Sequence, residues 1–172
     1  MFKPEIIDDY LDPESYSALY NELMDSNFPW FFSLKGDPAT FEGNPLDNWQ
    51  FVHPMYYDFK TVGDHAHIVG KIIRKLDPCA LTRIKVNNTP RSQELVQFDW
   101  HTDEEDHQGN TAIYYLNTCD GKTLFKDGPE VQSKANRICI FPGAQMHTGT
   151  NTTDAPCRVV ININYIPKVK KL

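Results

Sequence analysis

From residue 80 onward the chain is a succession of short β-forming segments, and this pattern limits the possible folds more than any other feature. The segments read, in order, LTRIKVN, ELVQFDWH, TAIYYLN, GKTLF, NRICIF and CRVVININYI. Each is rich in β-branched and aromatic residues, and Gly, Pro, Asn or Asp separates it from the next. Strands this short bury their apolar side chains by closing into a barrel or by forming two packed sheets.

The N-terminal part is predicted to contain two helices. Asp12 is placed to cap the first helix, and Pro13 suits its first turn. Its apolar positions share one helical face: Tyr16, Leu19, Tyr20, Leu23 and Met24. A second helix is expected from about residue 64 to 76, and the intervening residues 27–57 are expected to be irregular with short strands. Helices followed by strands indicate an α+β protein.

The composition excludes several classes of function. A chain of 172 residues has the length of one domain, and its net charge of -6 argues against general affinity for nucleic acids. No apolar run approaches the roughly 20 residues that cross a membrane, and the start of the chain lacks the apolar core of a signal peptide. The four cysteines form no CxxC pair, which is typical of a reduced, cytoplasmic protein.

The last segment has two unlike faces. One face is apolar and consists of Val159, Ile161, Ile163 and Tyr165; the other carries Arg158, Val160, Asn162 and Asn164. If helices cover the apolar face, the arginine points into the interior, where it needs an anionic partner. The alternative is an open sheet whose polar face meets solvent.

The triplet HTD carries the most specific chemical signal. His101 and Asp103 project to the same side of an extended chain, and His147 and then Arg158 follow at a distance. Two imidazoles and one carboxylate leave three positions open on an octahedral metal, which suits ferrous iron that binds a bidentate co-substrate and dioxygen. The arginine could pair bidentately with the far end of a dicarboxylate. The alternative without a metal site is a polar loop with incidental charges.

This order of motifs resembles the iron(II)- and 2-oxoglutarate-dependent dioxygenases. The strand NTAIYYLN is similar to the one that follows the H-x-D motif in prolyl hydroxylases of the oxygen-sensing type, and DGKTLF is similar to the Gly-Gly-x-x-x-Phe segment of the family. The first helix also resembles the leading helix of small prolyl-hydroxylase-like proteins. The resemblance covers residues 80–166, about half of the chain.

The resemblance implies a fold as well as a site. It implies one domain over residues 1–172, with a double-stranded β-helix (jelly-roll) core at 80–167. Residues 1–79 would form helical and irregular support, with the helices packed on one sheet.

Site residues follow from the same resemblance. The implied iron ligands are His101, Asp103 and His147, and the implied contacts of 2-oxoglutarate are Arg158, Tyr115 and Asn162. Val160 stands where many members have Ser or Thr, so Asn162, two residues further on, is the expected polar partner. No catalytic residue beyond the metal centre is implied.

The implied reaction is hydroxylation of an unactivated C–H bond with dioxygen, in which 2-oxoglutarate becomes succinate and CO₂. Fe(II) is the implied metal, 2-oxoglutarate the co-substrate and ascorbate an accessory reductant. The first-choice substrate is a peptidyl proline or another amino-acid side chain, either in a peptide or free.

Other functions stay open at this stage. One is a non-catalytic jelly roll, or a cupin-type module that binds a metal or another ligand without needing Arg158. Nucleic-acid demethylation is disfavoured, because those enzymes usually carry a second arginine where this chain has Asn164. Among these readings, only 2-oxoglutarate enzymes should lose co-substrate binding but keep the metal when Arg158 is replaced by alanine.

The remaining histidines are not expected to bind the metal. His107 falls in an acidic loop, and His65 is expected to be packed or hydrogen-bonded in the core. His67 is expected in solvent, and His53 could line the mouth of the pocket.

Overall fold

The computed structural model describes residues 2–35, 48–103 and 109–168, so the acidic loop with His107 lies outside the described residues. In chain order the elements are β1 (Glu5–Ile7), α1 (Pro13–Leu23), β2 (Phe31–Leu34), β3 (Trp49–Tyr57), β4 (Lys60–Thr61), a 3₁₀-helix (His65–Val69), α2 (Gly70–Leu76), β5 (Ala80–Pro90), β6 (Asn110–Tyr115), β7 (Lys122–Phe125), β8 (Glu130–Gln132), β9 (Arg137–Pro142), β10 (His147–Gly149) and β11 (Cys157–Ile166).

These strands form two antiparallel sheets. The larger has the order β1-β9-β6-β11-β5-β3-β2, with β4 paired to β3, and the smaller has the order β10-β7-β8. Phe125 and Val131 of the small sheet pack against Ile113, Cys139 and Phe141 of the large one. The inner faces of the two sheets therefore form one apolar layer. The predicted double-stranded β-helix in an α+β protein is confirmed.

The helices cover the outer face of the large sheet. Leu19 and Leu23 of α1 and Ile72 of α2 belong to one buried cluster with Ile161 and Ile163 of β11. The opposite face of β11 points inward, and Arg158 is only 4% exposed there. The prediction of a polar inner face is confirmed, and the open-sheet alternative is wrong.

The first helix begins as predicted, and the second differs in detail. The side chain of Asp12 accepts a hydrogen bond from the backbone N–H of Ser15 at 2.9 Å. Met24 is 38% exposed rather than buried, because the helix ends at Leu23 and Met24 lies in its cap. The second predicted helix is a 3₁₀-helix that continues into α2.

Two strand predictions were wrong. The segment 94–101 forms no regular strand, and it pairs only through bridges from Gln97 to Thr150 and from His101 to His147. Its partner β10 is too short to support a longer ladder. Residues 27–57 were expected to be irregular with short strands, but residues 49–57 form the long strand β3, which pairs with β5. The prediction of one domain, with supporting elements at residues 1–79 and a core at 80–167, stays a prediction. Strands β1–β4, from the supporting part, extend the large sheet.

Two further features bear on the setting of the protein. None of the described helices is long and apolar enough to span a membrane. The four cysteines are free thiols, of which Cys119 and Cys139 are buried.

Replacement of Ile161 by alanine tests the packing of the helices on the sheet. Ile161 is fully buried between β11 and the helices, so we expect Ile161→Ala to lower the free energy of unfolding by about 2–5 kcal/mol. Ile6→Ala is the matched control, because Ile6 is 45% exposed and should cost less than about 1 kcal/mol. Denaturant unfolding measures both, and equal losses would contradict this assignment of the core.

Candidate metal centre

The backbone brings two distant histidines side by side. The N–H of His101 donates to the carbonyl of His147 at 3.0 Å, and the N–H of His147 donates back at 2.9 Å. The two imidazole ring centres are 4.5 Å apart. Asp103 is fixed separately, by a 3.0 Å hydrogen bond from its N–H to the carbonyl of Gly143 in the FPG turn. Two reciprocal backbone hydrogen bonds therefore hold the segments that carry His101 and His147 together.

The three side chains converge on one point. One potential ligand atom from each of His101, Asp103 and His147 lies within 4.8 Å of the other two, and no other such cluster occurs among the described residues. Nε2 of His147 is 3.6 Å from Oδ2 of Asp103. The separations are short enough for a single ion to reach all three side chains.

Both imidazoles present Nε2 to this point. Nδ1 of His101 lies 3.1 Å from the carbonyl of Asp99, and Nδ1 of His147 lies 2.9 Å from that of Gln145. A carbonyl can only accept, so each Nδ1 carries the proton and each Nε2 keeps a lone pair. Nε2 of His147 is buried and has no hydrogen-bond partner among the described residues. Burial lowers the pKa of His147 although the Asp103 charge opposes this, which favours the neutral form that binds metals.

Three donors hold the carboxylate of Asp103. Arg83 donates to Oδ1 at 2.8 Å, while Thr111 and Asn162 donate to Oδ2 at 2.9 and 3.1 Å. Burial raises the pKa of Asp103, but His147, Arg83 and the two hydrogen bonds outweigh it, and the pKa lies below its usual value. The side chain is thus an oriented carboxylate.

Asn164 connects this network to the strand opposite. Nε of Arg83 donates to the side-chain oxygen of Asn164 at 2.9 Å, and the side-chain amide of Asn164 donates to the hydroxyl of Thr111 at 2.9 Å. Asn164 and Arg83 face each other across the β11–β5 ladder. The position where alkylated-base demethylases carry an arginine therefore holds a residue that orients an arginine from the neighbouring strand.

Arg158 lies in an inner recess of about 70 Å³ that both histidines also line. Its guanidinium donates to the hydroxyl of Ser133 at 2.8 Å, to the hydroxyl of Thr123 at 3.1 Å and to the carbonyl of Thr150 at 3.4 Å. These partners are neutral, and no carboxylate of the described residues forms an ion pair with Arg158. An anion at the recess would supply the missing counter-charge.

Tyr115 and Asn162, the other two predicted co-substrate contacts, have different positions. Tyr115 is fully buried, burial raises its pKa, and its hydroxyl donates to Thr123 at 2.8 Å. The hydroxyl of Thr123 accepts from both Tyr115 and Arg158, so its own proton is free to donate to a third group. Asn162 lines the recess, and its buried side-chain oxygen has no hydrogen-bond partner within residues 2–35, 48–103 and 109–168. Their roles toward a co-substrate stay predictions.

Glycines make room for the buried arginine. A Cβ atom on Gly121 would lie 2.5 Å from Cδ of Arg158 and 2.4 Å from the carbonyl oxygen of Asn151. A Cβ atom on Gly149 would lie 3.3 Å from Nη1 of Arg158. Residue 121 thus has to be glycine for the arginine to keep this position.

Several residues at the site have no role in the sequence-based prediction. Four come from the inner face of β5: Arg83, Lys85, Asn87 and Thr89. Their signal is the alternation of RIKVNNT, in which Ile84 and Val86 belong to the outer core. Ser133 and Thr123 come from the small sheet and its end, and nothing in the sequence marks them.

The remaining histidines lie away from the metal ligands. Nδ1 of His65 lies 3.0 Å from Oε1 of Glu22, as expected of a hydrogen-bonded histidine, and His67 is exposed. His53 packs on Phe28 at 4.7 Å between ring centres and does not line the cavities at the site.

Comparison with known proteins establishes the fold. No protein-family model matches the chain, and no curated protein matches it either. Solved structures do match. A prolyl hydroxylase from Trichoplax adhaerens, in complex with a hypoxia-inducible-factor peptide, is similar over 95% of this chain and 83% of its own, with a TM-score of 0.60 and 16% identity.

Two further solved structures are similar to this chain. HygX from Streptomyces hygroscopicus, with nickel and 2-oxoglutarate bound, matches 96% of this chain and 83% of its own, with a TM-score of 0.60 and 11% identity. The α-ketoglutarate-dependent carbocyclase SnoK from nogalamycin biosynthesis matches 95% and 79%, with a TM-score of 0.67 and 11% identity. This chain has the fold of the 2-oxoglutarate oxygenases.

The donor set fits a ferrous ion. Two neutral imidazoles and one carboxylate suit iron in an open site, and the orphaned Nε2 of His147 points to where such an ion would bind. The guanidinium of Arg158, which pairs with no carboxylate of the described residues, lies in the same recess and fits a dicarboxylate that reaches from the ion.

Replacement of Arg83 tests its hold on Asp103. We expect Arg83→Met to weaken binding of a divalent metal by roughly tenfold, because residues that orient metal ligands typically contribute 10–100-fold. Calorimetric titration with Mn(II) measures this. Arg74→Met, which removes an arginine from α2, is the control. Unchanged affinity in Arg83→Met would contradict the role.

Replacement of Gly121 tests the space for Arg158. We expect Gly121→Ala to displace the guanidinium and weaken 2-oxoglutarate binding by about tenfold or more, with metal affinity unchanged. Gly70→Ala is the matched control, because a Cβ there meets nothing within 4 Å. Equal affinities of the two variants for 2-oxoglutarate would show that the contact is not decisive.

Proposed function

We propose that this protein is an Fe(II)- and 2-oxoglutarate-dependent dioxygenase that hydroxylates an unactivated C–H bond. The observation that carries the proposal is the inner recess, which links the imidazoles of His101 and His147 to the guanidinium of Arg158. No carboxylate in the part of the chain that the structure describes pairs with this guanidinium. A metal-binding module without a co-substrate has no need for a buried cation at this place.

Each residue has a defined task under this proposal. His101, Asp103 and His147 hold iron, which when bound supplies the redox chemistry that couples dioxygen to decarboxylation of 2-oxoglutarate. Arg158 binds the far carboxylate of 2-oxoglutarate, and the Thr123 hydroxyl donates a further hydrogen bond to it. Ascorbate would serve as an accessory reductant.

The protein environment protects this chemistry. Ile113 and Val160 are each 6% exposed and line the inner recess, so they keep water away from the co-substrate. The donors on Asp103 fix its orientation before any ligand arrives. The first effect is the exclusion of water, and the second is preorganisation of a metal ligand.

The first-choice substrate is a peptidyl proline or another amino-acid side chain. The peptide complex of the Trichoplax prolyl hydroxylase supports this choice. An outer cavity of about 300 Å³ borders the inner recess and shares His101 with it, so a substrate there would reach the metal.

An anaerobic titration tests the proposed function. Fe(II) and 2-oxoglutarate should together give the weak visible charge-transfer band of a chelated 2-oxo acid in the wild type. His101→Ala should abolish the band by weakening metal binding, and Arg158→Ala should abolish it while Fe(II) still binds. Lys134→Gln on the outer surface should leave it unchanged, since Lys134 pairs with Asp8 there.

The same titration contains the contradicting outcome. If Fe(II) binds to the wild type and the band does not develop at any concentration of 2-oxoglutarate, the proposal is wrong. The protein would then be a metal- or ligand-binding module with this fold.

A further inference from the structure

The outer cavity is lined by cationic side chains beside the metal ligands. Lys35, Arg83 and Lys85 line it together with Asp99 and Asp103. Arg83 is already paired with Asp103 at 2.8 Å. Neither lysine forms an ion pair with a carboxylate of the described residues, although Asp99 lines the same cavity.

The position of Lys85 follows from the strand register. Lys85 stands directly opposite Asn162 on the neighbouring strand, so both side chains lie on the inner face of the sheet. Asn162 in turn donates to Oδ2 of Asp103. Lys85 therefore lies on the same face of the sheet as the residue that holds Asp103, and it lines the outer cavity.

Lys35 approaches the same space from the end of β2. Its ammonium lies 3.3 Å from the ring centre of Phe98, which is an attraction to an aromatic face rather than to a charge. Burial lowers the pKa of Lys35 well below its usual range, and the charges of Arg158 and Lys85 add to this effect. Burial also lowers the pKa of Lys85, with a further contribution from Arg83. An anion bound between Lys35 and Lys85 would offset the cost of burying the charge of each ammonium group.

The two cavities share several lining residues but differ in their cationic side chains. Lys85 lines the outer cavity but not the inner recess, whereas Arg158 lines the inner recess but not the outer cavity; Lys35 reaches both. Iron and the 2-oxoglutarate dianion cancel each other in charge, and Arg158 adds a further positive charge. Arg83 and Asp103 neutralise each other. Among the described lining residues, the carboxylate of Asp99 therefore leaves the loaded site with an excess of positive charge when Lys85 is charged.

We propose that the substrate presents an anionic oxygen group, a carboxylate or a phosphate, that Lys85 binds in the outer cavity with help from Lys35. This rests on the proposed function and makes Lys85 a specificity-determining residue. The reacting C–H bond then lies close to this group, because the cavity of about 300 Å³ holds only a small moiety. A neutral, unmodified prolyl side chain alone would leave Lys85 without a partner.

Binding of small anions tests the proposal without knowledge of the natural substrate. The protein is loaded with Zn(II), which has no redox chemistry, and is saturated with 2-oxoglutarate so that Arg158 is occupied. Acetate, its neutral isostere acetamide and inorganic phosphate are then titrated and followed by saturation-transfer NMR. We expect acetate or phosphate to bind and acetamide not to bind. The tighter of the two anions identifies the group as a carboxylate or a phosphate.

Variants assign the binding to Lys85. We expect Lys85→Gln to weaken anion binding by about tenfold, and Lys85→Arg to retain it because the charge is kept. Lys134→Gln is the matched control and should bind as the wild type does, since Lys134 is paired with Asp8 on the outer surface. Retained binding of 2-oxoglutarate in Lys85→Gln shows that this variant is folded.

Two results would overturn the proposal. One is an absence of anion binding to the loaded wild type, and the other is equal anion affinity in wild type and Lys85→Gln. Saturation with 2-oxoglutarate, measured in the same samples, tests the proposed function separately. If 2-oxoglutarate fails to bind and the anions still need Lys85, the function is wrong and the anion site stands.

Discussion

A buried guanidinium that has no carboxylate partner among the described residues is the constraint on which the interior of this protein depends. Removing such a charge from water costs several kcal/mol unless hydrogen bonds and a counter-charge offset it. Arg158 is 4% exposed, and its hydrogen-bond partners in the described part of the chain are two hydroxyls and a carbonyl. The small sheet and the residues directly after two of its strands supply these groups, and Gly121 leaves the space that the side chain needs. The fold thus holds a cation ready for an anionic ligand.

The metal site depends on the opposite arrangement, a carboxylate surrounded by donors. Asp103 receives hydrogen bonds from Arg83, Thr111 and Asn162, and these residues come from three different strands of the large sheet. The smaller sheet and its flanking segment carry the two histidines, joined by their reciprocal backbone bridge. The site is therefore formed where the two sheets face each other, and neither sheet contains it alone.

The lysines of the outer cavity would bind an anionic group of the substrate, as Arg158 would bind the co-substrate. Lys85 lies between Arg83 and Asn87 on the inner face of β5, so the strand presents a continuous polar edge to the cavity. A fold that also occurs in a prolyl hydroxylase and a carbocyclase does not itself select a substrate. Under the proposal, the selection in this chain would depend on Lys35 and on the side chains of β5 that line the cavity.

The sequence by itself determined the elements whose signal is local. The alternation in CRVVININYI indicated both faces of β11, Asp12 and Pro13 marked the start of α1, and the parity of HTD placed His101 and Asp103 on one side. Each of these follows from backbone geometry over a few residues. The order of His147 and Arg158 after HTD then indicated the candidate site.

The tertiary structure decided everything that depends on distant pairing. Residues 49–57 form a strand because β5 offers a partner, and residues 94–101 do not, because β10 is only three residues long. Ser133 and Thr123 reach Arg158, and Arg83 reaches Asp103, through sheet packing that no local pattern encodes. Hydrogen bonds between strands far apart in sequence, rather than the preferences of single segments, fix those positions.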